Sequence, residues 1–162
     1  MPVRPMRAAD RRQVIAMMRA LWPDERGFLN PQETRREKVL VWVGSDGHLG
    51  GFISFSVRPF ANGCDTMPVP FVEGWYVLPA QRRLGVGGEL MRAVEQWSAA
   101  HGYRELGSDT DLWRRVSIKA HAALGFELTD RVQYFRKKLR RRPSGPAAPR
   151  APRPARRGRG RR

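Results

Sequence analysis

The chain has 162 residues, 41% of them hydrophobic, which fits one packed domain but hardly two. Its single cysteine, Cys64, excludes an intrachain disulfide and a cysteine-based metal cluster, and no apolar stretch approaches the roughly 20 residues that span a bilayer. The N-terminal residues also lack the apolar segment of a secretory signal. We therefore expect a cytoplasmic protein with no metal and no membrane insertion.

The net charge of +16 is concentrated at one end of the chain. Residues 140–162 contain ten arginines and no acidic residue, which leaves 21 basic and 15 acidic residues elsewhere. This segment has no apolar residue larger than alanine, so burial cannot offset the entropy of ordering it. We predict a domain over residues 1–139 and a disordered basic tail over residues 140–162. The positive charge of this tail would allow it to contact nucleic acid or ribosomes. Blocks of like charge are more often simply solvated, however, which favours the alternative that the tail is a dispensable extension.

The first half of the domain alternates between strand and helix patterns. The predicted elements are a strand at residues 3–6, helices at 9–21 and 31–38, and a hairpin of strands at 39–43 and 51–57. Asp10 favours the N-terminus of the first helix because it lies in the first turn. Asn30 as N-cap and Pro31 at the first helical position indicate the second helix.

The second half continues the same alternation. The predicted elements are a strand at residues 69–78, a helix at 84–100, a strand at 104–108, a helix at 116–124 and a final strand at 132–139. Gly125 is a typical stop for the preceding helix. This order predicts a mixed α/β fold, with a central sheet covered by helices.

A glycine-bearing turn joins the strand ending at Leu78 to the helix after it. Backbone N–H groups at a helix start lack intrahelical partners, and the helix dipole adds positive potential there. Glycine lets a ligand approach the backbone, and Arg82 would add charge-assisted bonds. The turn indicates a phosphate or pyrophosphate site, although ordinary glycine-rich helix starts have the same spacing. It matches neither a Walker loop nor a Rossmann fingerprint.

The strand before this turn carries a candidate base. Period-two alternation predicts that Phe71, Glu73, Trp75 and Val77 share one face. A carboxylate among aromatic and aliphatic neighbours is desolvated, which suits proton abstraction. The alternative, with equal weight, is a glutamate that faces water or an arginine. Gly74, in mid-strand, indicates a bulge or the close approach of a ligand.

Two later segments add candidates for proton transfer. Asp109 and Asp111 follow a strand, where ligands tend to bind in open α/β sheets. The alternative is that Asp109 caps the next turn. His121 has the chemistry for proton transfer, although a lone helical histidine is more often structural.

In order along the chain, these segments resemble the GCN5-related N-acetyltransferases. The family's Arg/Gln-x-x-Gly-x-Gly/Ala signature is similar to Arg82-Arg83-Leu84-Gly85-Val86-Gly87, and its late helix looks like Lys119-Ala120-His121-Ala122-Ala123-Leu124-Gly125-Phe126. One group within this family, the chromosomal-type aminoglycoside 6'-N-acetyltransferases, has segments similar to Leu21-Trp22-Pro23, Asn62-Gly63-Cys64-Asp65, Phe71-Val72-Glu73-Gly74, Val77-Leu78-Pro79 and Ser108-Asp109-Thr110. The likeness spans about residues 3–138.

The resemblance implies a mixed, splayed β-sheet with about four helices, and acetyl-CoA between the strands that end at Leu78 and near Asp109. The implied cofactor-binding residues are Tyr76, Val77, Leu78, Arg82, Arg83, Leu84, Gly85, Val86, Gly87 and Gly88. The implied aminoglycoside-binding residues are Trp22, Glu73 and Asp109, to which Asp65 and Asp111 would add negative charge. A homodimer is also implied, with Trp75 or Phe135 as interface residues.

The implied reaction is direct attack of the aminoglycoside 6'-amine on acetyl-CoA in a ternary complex, which confers antibiotic resistance. Glu73 is the first candidate for the base and Asp109 the second, and a backbone N–H near Val77 would polarise the carbonyl. Many family members have a tyrosine as acid where this chain has His121, and a CoA-binding asparagine where Arg114 aligns. The alternatives are an acetyltransferase for a protein N-terminus, polyamine or metabolite amine, and an RNA-binding module.

Overall fold

The computed structural model describes residues 2–23 and 37–139 of the chain. The strands are β1 (Val3–Pro5), β2 (Lys38–Val43), β3 (Leu49–Arg58), β4 (Val69–Val77) and β5 (Gly107–Ser108). The α-helices are α1 (Arg11–Leu21), α2 (Val86–Ala100) and α3 (Arg115–Ala123), and short 3-10 helices occupy Ala8–Asp10 and Pro79–Gln81. The mixed α/β order predicted from the sequence is confirmed.

The strands form one sheet in the order β1-β2-β3-β4-β5. The first four are antiparallel neighbours, whereas β4 and β5 run parallel. The β4–β5 pairing covers only Phe71 with Gly107 and Val72 with Ser108, although β4 continues to Val77. The two strands therefore part at Val72 and Ser108, which is the splay that the resemblance implies.

Helices pack on both faces of the sheet. On one face, the buried core joins α2 to β3 and β4 through Ile53, Phe55, Val72, Val86, Leu90, Met91 and Val94. On the opposite face, the buried core joins α1 to β2 and β3 through Val14, Met17, Met18, Val41, Leu49 and Phe52. Each fully buried side chain of this kind stabilises the fold by about 1.5–3 kcal/mol. The strands that carry the site are thus fixed from both sides.

β4 has a bulge at Glu73. Ser54 pairs with Gly74 and Phe55 pairs with Val72, so Glu73 is an extra residue between them. The bulge that Gly74 indicated is thereby confirmed. Beyond it, Trp75 packs with the α2 core, whereas Glu73 faces the opposite side of the sheet. The prediction that these two share a face was wrong, because an inserted residue reverses period-two alternation.

Some predicted elements differ from the structure. The described residues hold three α-helices rather than about four, and the helix predicted at 31–38 lies outside them except for Glu37 and Lys38, where β2 begins. The strand predicted at 104–108 shortens to two residues. Residues 132–139 are neither helix nor strand, so the predicted final strand was wrong. Alternating side chains do not make a strand unless a neighbour accepts its backbone hydrogen bonds.

The chain divides into two compact units, Met1–Arg131 and Val132–Arg162. All the helices and strands above lie in the first unit. In the second, residues 132–139 are described, and the predicted tail over 140–162 lies outside the described residues. Among the described helices, none is long and apolar enough to cross a membrane.

Candidate active site

The edge of β4 beyond its last pair with β5 faces a gap. The Leu78 N–H donates to the Gly50 carbonyl at 2.9 Å, so the backbone of Leu78 is directed toward β3. Backbone direction alternates along a strand, which gives Tyr76 the same direction as Leu78 and turns the backbone of Val77 toward the gap. Of the three residues implied to pair with a ligand, Val77 is therefore the one that offers its N–H to the gap.

The start of α2 lies at the same edge. Its N-cap, Gly85, has a φ of 87°, a left-handed conformation that favours glycine. The first helical bond is from the Glu89 N–H to the Gly85 carbonyl at 3.0 Å, so the N–H groups of residues 86–88 have no intrahelical acceptor. Arg82 Nε donates to the Val77 carbonyl at 3.1 Å, which places its guanidinium at the end of β4. This arrangement suits a phosphate or pyrophosphate.

Gly87 is small for a packing reason. A Cβ at this position would lie 2.9 Å from the ring of Trp75. That ring also meets His121 edge-on, with centroids 5.6 Å apart. Trp75 is therefore held between α2 and α3, and its place at a dimer interface stays a prediction. The two remaining turn residues implied to hold the cofactor are Arg83, which has a φ of 62°, and Leu84, which is exposed.

The Glu73 carboxylate is held by two side chains of β3. Ser56 Oγ donates to it at 2.6 Å, and Arg58 donates through Nε at 2.9 Å and Nη2 at 2.5 Å. The Arg58 guanidinium also stacks 3.5 Å from the centroid of the Phe71 ring. The structure thus follows the second reading of Glu73, a glutamate that faces an arginine. Its oxygens are occupied by donors, which leaves it a weaker candidate for proton abstraction.

Asp109, directly after β5, is the carboxylate with the environment expected of a base. Burial raises the pKa of Asp109; the positive charges of Arg58 and His121 oppose this rise, and the negative charges of Glu73 and Asp111 add to it. A carboxylate with a raised pKa accepts a proton more readily. The structure therefore brings Glu73, Asp109 and His121 into one cluster, and it favours Asp109 over Glu73 as the base.

Trp22 reaches this cluster from the end of α1. A Cβ on Gly74 would lie 2.5 Å from the Trp22 ring, so the glycine beside Glu73 gives the indole its place. The group that lies close to Gly74 is thus a side chain of this chain, whereas the second prediction for Gly74 was the close approach of a ligand. An aromatic face next to a carboxylate is an arrangement that suits a cationic sugar.

Arg114 links α1 to the loop after β5. Its Nη1 donates to the Leu21 carbonyl at 3.2 Å, and its Nε donates to Asp111 Oδ2 at 2.9 Å. Arg114 therefore fixes Asp111 near the helix end that carries Trp22. Through these contacts Arg114 lies on the Trp22 side of the cluster. The resemblance, in contrast, implies an asparagine that contacts CoA at this position.

Asp65 lies apart from this cluster. Glu105 accepts hydrogen bonds from the Thr66 hydroxyl and from the backbone N–H groups of Asp65 and Thr66, and these bonds lower the pKa of Glu105. The Asp65 side chain itself is exposed. The described charges that act on Asp109 do not include it.

His121 extends from α3 to β5. Its Nδ1 lies 2.8 Å from the Ser117 carbonyl oxygen, which only accepts, so Nδ1 carries a hydrogen. Its Nε2 lies 2.8 Å from Ser108 Oγ. In the neutral ring, Nε2 therefore accepts the hydrogen of the Ser108 hydroxyl.

Three residues of the cluster, Ser56, Arg58 and Ser108, were not singled out by the sequence patterns. Ser56 and Arg58 are two positions apart in β3 and share a face, but the bulge hides the register that sets them opposite Glu73. Ser108 belongs to the Ser108-Asp109-Thr110 segment, in which the sequence indicates a role only for the aspartate. Among the described residues, no group of three or more His, Cys, Asp or Glu side chains is placed to hold a metal ion.

Comparison with known proteins gives consistent matches. Residues 9–126 match the family described as acetyltransferase (GNAT) family. The chain is 40% identical over 146 residues to an aminoglycoside N(6')-acetyltransferase type 1 of Klebsiella aerogenes, covering 85% of this chain and 96% of that protein. It is similar to AAC(6')-Iy in complex with the bisubstrate analogue CoA-S-monomethyl-acetylneamine, with a TM-score of 0.76, 34% identity and coverage of 85% and 97%. It is also similar to the apo aminoglycoside 6'-N-acetyltransferase AAC(6')-IG of Acinetobacter haemolyticus, with a TM-score of 0.77, 32% identity and coverage of 86% and 100%.

Proposed function

Because this chain belongs to the acetyltransferase (GNAT) family, we propose that it transfers the acetyl group of acetyl-CoA to the 6'-amine of aminoglycoside antibiotics. The transfer removes a positive charge from the antibiotic and confers resistance. Relatives named for this activity align over nearly their whole length. In the structure, the proposal is carried by one observation: the open edge of β4 ends at an acidic cluster beside Trp22.

Acetyl-CoA fits the groups along β4 and α2. The Val77 N–H faces the gap and is placed to pair with an amide of the pantetheine arm. The N–H groups of residues 86–88 and the Arg82 guanidinium are placed to bind the pyrophosphate. When bound, acetyl-CoA supplies an acetyl group activated as a thioester. The chain binds this group, orients it and handles the protons.

The acidic cluster holds the polycationic acceptor. Glu73 and Asp111 contribute negative charge, and Trp22 contributes an aromatic face. The amine attacks only when it is neutral, so a base must accept its proton. Asp109 is the proposed base because burial raises its pKa while Glu73 is engaged by Arg58.

The remaining groups act on the thioester. A further backbone N–H near Val77, apart from the one that pairs with the pantetheine arm, is the proposed donor that polarises the thioester carbonyl in the manner of an oxyanion hole, a contact typically worth about 3–4 kcal/mol of barrier when it is removed. His121 lies across the gap, in contact with β5 and against Trp75, and is the proposed source of the proton for the leaving group.

The test is release of CoA thiol from acetyl-CoA with two matched aminoglycosides, one with a 6'-amine and one with a 6'-hydroxyl. Rapid release with the amine alone supports both the reaction and its position. Release with neither, while acetyl-CoA still binds, refutes the aminoglycoside proposal. The acceptor is then sought among other amines, such as polyamines and protein N-termini.

We further propose a cytoplasmic homodimer. A chain with one cysteine suits a reducing compartment, and cytoplasm is where acetyl-CoA is available. Residues 132–139 expose Tyr134, Phe135 and Leu139, apolar side chains that a second copy would cover. Light scattering should give twice the monomer mass for the wild type and a lower mass for Phe135→Asp. A monomeric wild type contradicts the proposal.

The basic tail is proposed to be dispensable for catalysis. Deleting residues 140–162 should leave kcat and KM unchanged. If the full chain binds RNA with a steep salt dependence that the truncated chain lacks, the tail is a nucleic-acid contact.

A further inference from the structure

We propose that the Ser108 hydroxyl protonates the departing CoA sulfur and that His121 then returns a proton to the Ser108 oxygen, so that Ser108 is a catalytic residue. The proposal rests on the acetyl transfer proposed above. It assigns chemistry to a serine at the last pair of β4 and β5, where the gap between the two strands begins.

Ser108 lies where the two strands part. It is the last residue of β5, and its pairing with Val72 is the last pair before β4 continues alone toward α2. A ligand whose phosphates bind at residues 86–88 and whose arm follows Val77 extends along β4 toward this point. The thioester end of the ligand is therefore the part that arrives at Ser108.

The hydrogen bonds around His121 set the direction of proton flow. In the neutral ring, the Nδ1–H is held by the Ser117 carbonyl at 2.8 Å, and Nε2 accepts the Ser108 hydrogen at 2.8 Å. When Nε2 is protonated, it donates to Ser108 Oγ instead. The hydroxyl hydrogen is then released from the ring and can point into the gap, where the sulfur lies.

The step begins with a neutral amine, whose ammonium form has already given one proton through Asp109 to solvent, with an ionised Asp109 and with His121 protonated on both ring nitrogens. The amine nitrogen bonds to the thioester carbon, the carbon–sulfur bond breaks, and its electron pair stays on sulfur. The sulfur takes the hydrogen of Ser108 Oγ as Oγ takes the hydrogen of His121 Nε2. The proton lost by the amine goes to Asp109 and returns through water to His121. The products are an amide and a thiol, and the enzyme regains its starting state.

The surroundings of the pair suit this exchange. Trp75 and Phe126 meet the His121 ring edge-on, with centroids 5.6 and 5.1 Å away, which fixes the ring without taking its Nε2. The nearest charged residue in the chain is Asp109, which directly follows Ser108. Three other charged residues act, together with His121, on the pKa of Asp109. These are Arg58, Glu73 and Asp111.

The competing explanation is mechanical, since the same hydrogen bond ties the short strand β5 to α3. His121→Gln separates the two explanations. Glutamine keeps an oxygen that accepts the Ser108 hydrogen, and so keeps the tie, but it has no nitrogen that gains and loses a proton. If the hydrogen bond only holds β5 to α3, turnover of this variant should be nearly unchanged. If His121 delivers a proton, turnover should fall strongly.

The first experiment measures binding and needs no acceptor. The affinities of CoA and desulfo-CoA are compared by calorimetry for the wild type, Ser108→Ala and the matched control Ser98→Ala, whose buried hydroxyl bonds to the Val94 carbonyl in α2. Ser108→Ala should weaken CoA by about threefold to tenfold, the range of one lost hydrogen bond, and leave desulfo-CoA unchanged. Equal effects on both ligands would overturn the contact with sulfur, whether or not aminoglycosides are the acceptors.

The second experiment measures turnover with the 6'-amino aminoglycoside. Ser108→Ala and His121→Gln should each lower kcat about 100-fold with little change in KM for acetyl-CoA, and Ser108→Thr should retain most of it. The double variant should be no slower than the slower single one, because the residues act as a unit.

Melting temperatures within a few degrees of the wild type exclude unfolding. Wild-type kcat in either single variant overturns the proposal. If the wild type accepts no aminoglycoside, slow hydrolysis of acetyl-CoA is compared across the same variants, and equal rates overturn it.

Discussion

Arg58 and Glu73 form a bidentate ion pair between β3 and β4, with Arg58 Nε and Nη2 at 2.9 and 2.5 Å from the two carboxylate oxygens. Both charges act on Asp109. Beyond the larger effect of burial, Arg58 lowers the pKa of Asp109 and Glu73 raises it. The ion pair thus sets the proton affinity of the proposed base while it leaves negative charge for the substrate.

Removing Arg58 and removing Glu73 should shift the pH dependence of catalysis in opposite directions. A base works when deprotonated, so activity falls as the pH drops through its pKa. Arg58→Met removes the charge that lowers the pKa of Asp109 and should move the acid limb of kcat/KM to higher pH. Glu73→Gln removes the charge that raises this pKa and should move the limb to lower pH. The measurement is the pH profile of kcat/KM for both variants and the wild type.

Arg12→Gln is the matched control, because Arg12 is an exposed arginine on the outer side of α1. It should leave the acid limb in place. Shifts of the same sign in Arg58→Met and Glu73→Gln, or none in either, would remove Asp109 as the group that the profile reports.

Gly74 should govern acceptor binding without touching the acyl donor. An added Cβ would lie 2.5 Å from the Trp22 ring, so Gly74→Ala must displace the indole. We expect KM for the aminoglycoside to rise about tenfold and the calorimetric affinity for acetyl-CoA to stay within twofold, as for loss of one aromatic contact. An equal loss of affinity for both ligands would show that the substitution disturbs β4 as a whole.

The sequence predicted most of the elements but mistook several contacts. Helical periodicity located α1 and α2, because each buries one face on the sheet, and it also located α3, which has no buried residue. The motifs brought Glu73, Asp109 and His121 into one site, although they are far apart in the chain.

What alternation could not reveal is the single inserted residue in β4. Gly74 indicated a bulge, but it did not indicate that the bulge turns Trp75 to the other face and sets Glu73 against Arg58, because no local pattern encodes the register of β4 on β3. The short β5 was overestimated for a related reason. A strand ends where its neighbour diverges, and the divergence of β4 and β5 is a property of the assembled sheet.

Gly85 should be needed for the shape of the turn that begins α2. Its φ of 87° is a conformation that costs a residue with a Cβ roughly 1–2 kcal/mol, although nothing lies within 4 Å of an added Cβ. Gly85→Ala should lower the free energy of unfolding by about 1 kcal/mol and weaken CoA binding. Gly85→Asn is the control, because asparagine tolerates this conformation better, and it should lose less of both. Equal losses would show that strain is not the cause.

Asp10 should make the stability of the fold depend on pH in the acid range. Its carboxylate accepts bonds from Arg4 at 2.5 and 3.0 Å and from the Arg7 N–H at 2.7 Å, and the Arg4 hydrogen bonds are the main reason that its pKa falls to about 2. A lowered pKa means that the folded state favours the ionised form. The stabilisation is therefore complete above the ordinary pKa of 3.8 and is lost as the pH falls through about 2.

Urea unfolding of the wild type and Asp10→Asn between pH 7 and pH 2 tests this. The variant should be less stable at pH 7 by on the order of 1 kcal/mol, a modest figure because Arg4 is partly exposed and solvent screens the pair. The difference should shrink as the pH falls from 4 to 2, because the wild type then loses the interaction as well. Asp46→Asn, in the exposed β2–β3 turn, is the control and should show no such convergence. A constant difference between wild type and Asp10→Asn across this range would mean that Asp10 stabilises the fold by packing or as a neutral hydrogen-bond acceptor rather than by its charge.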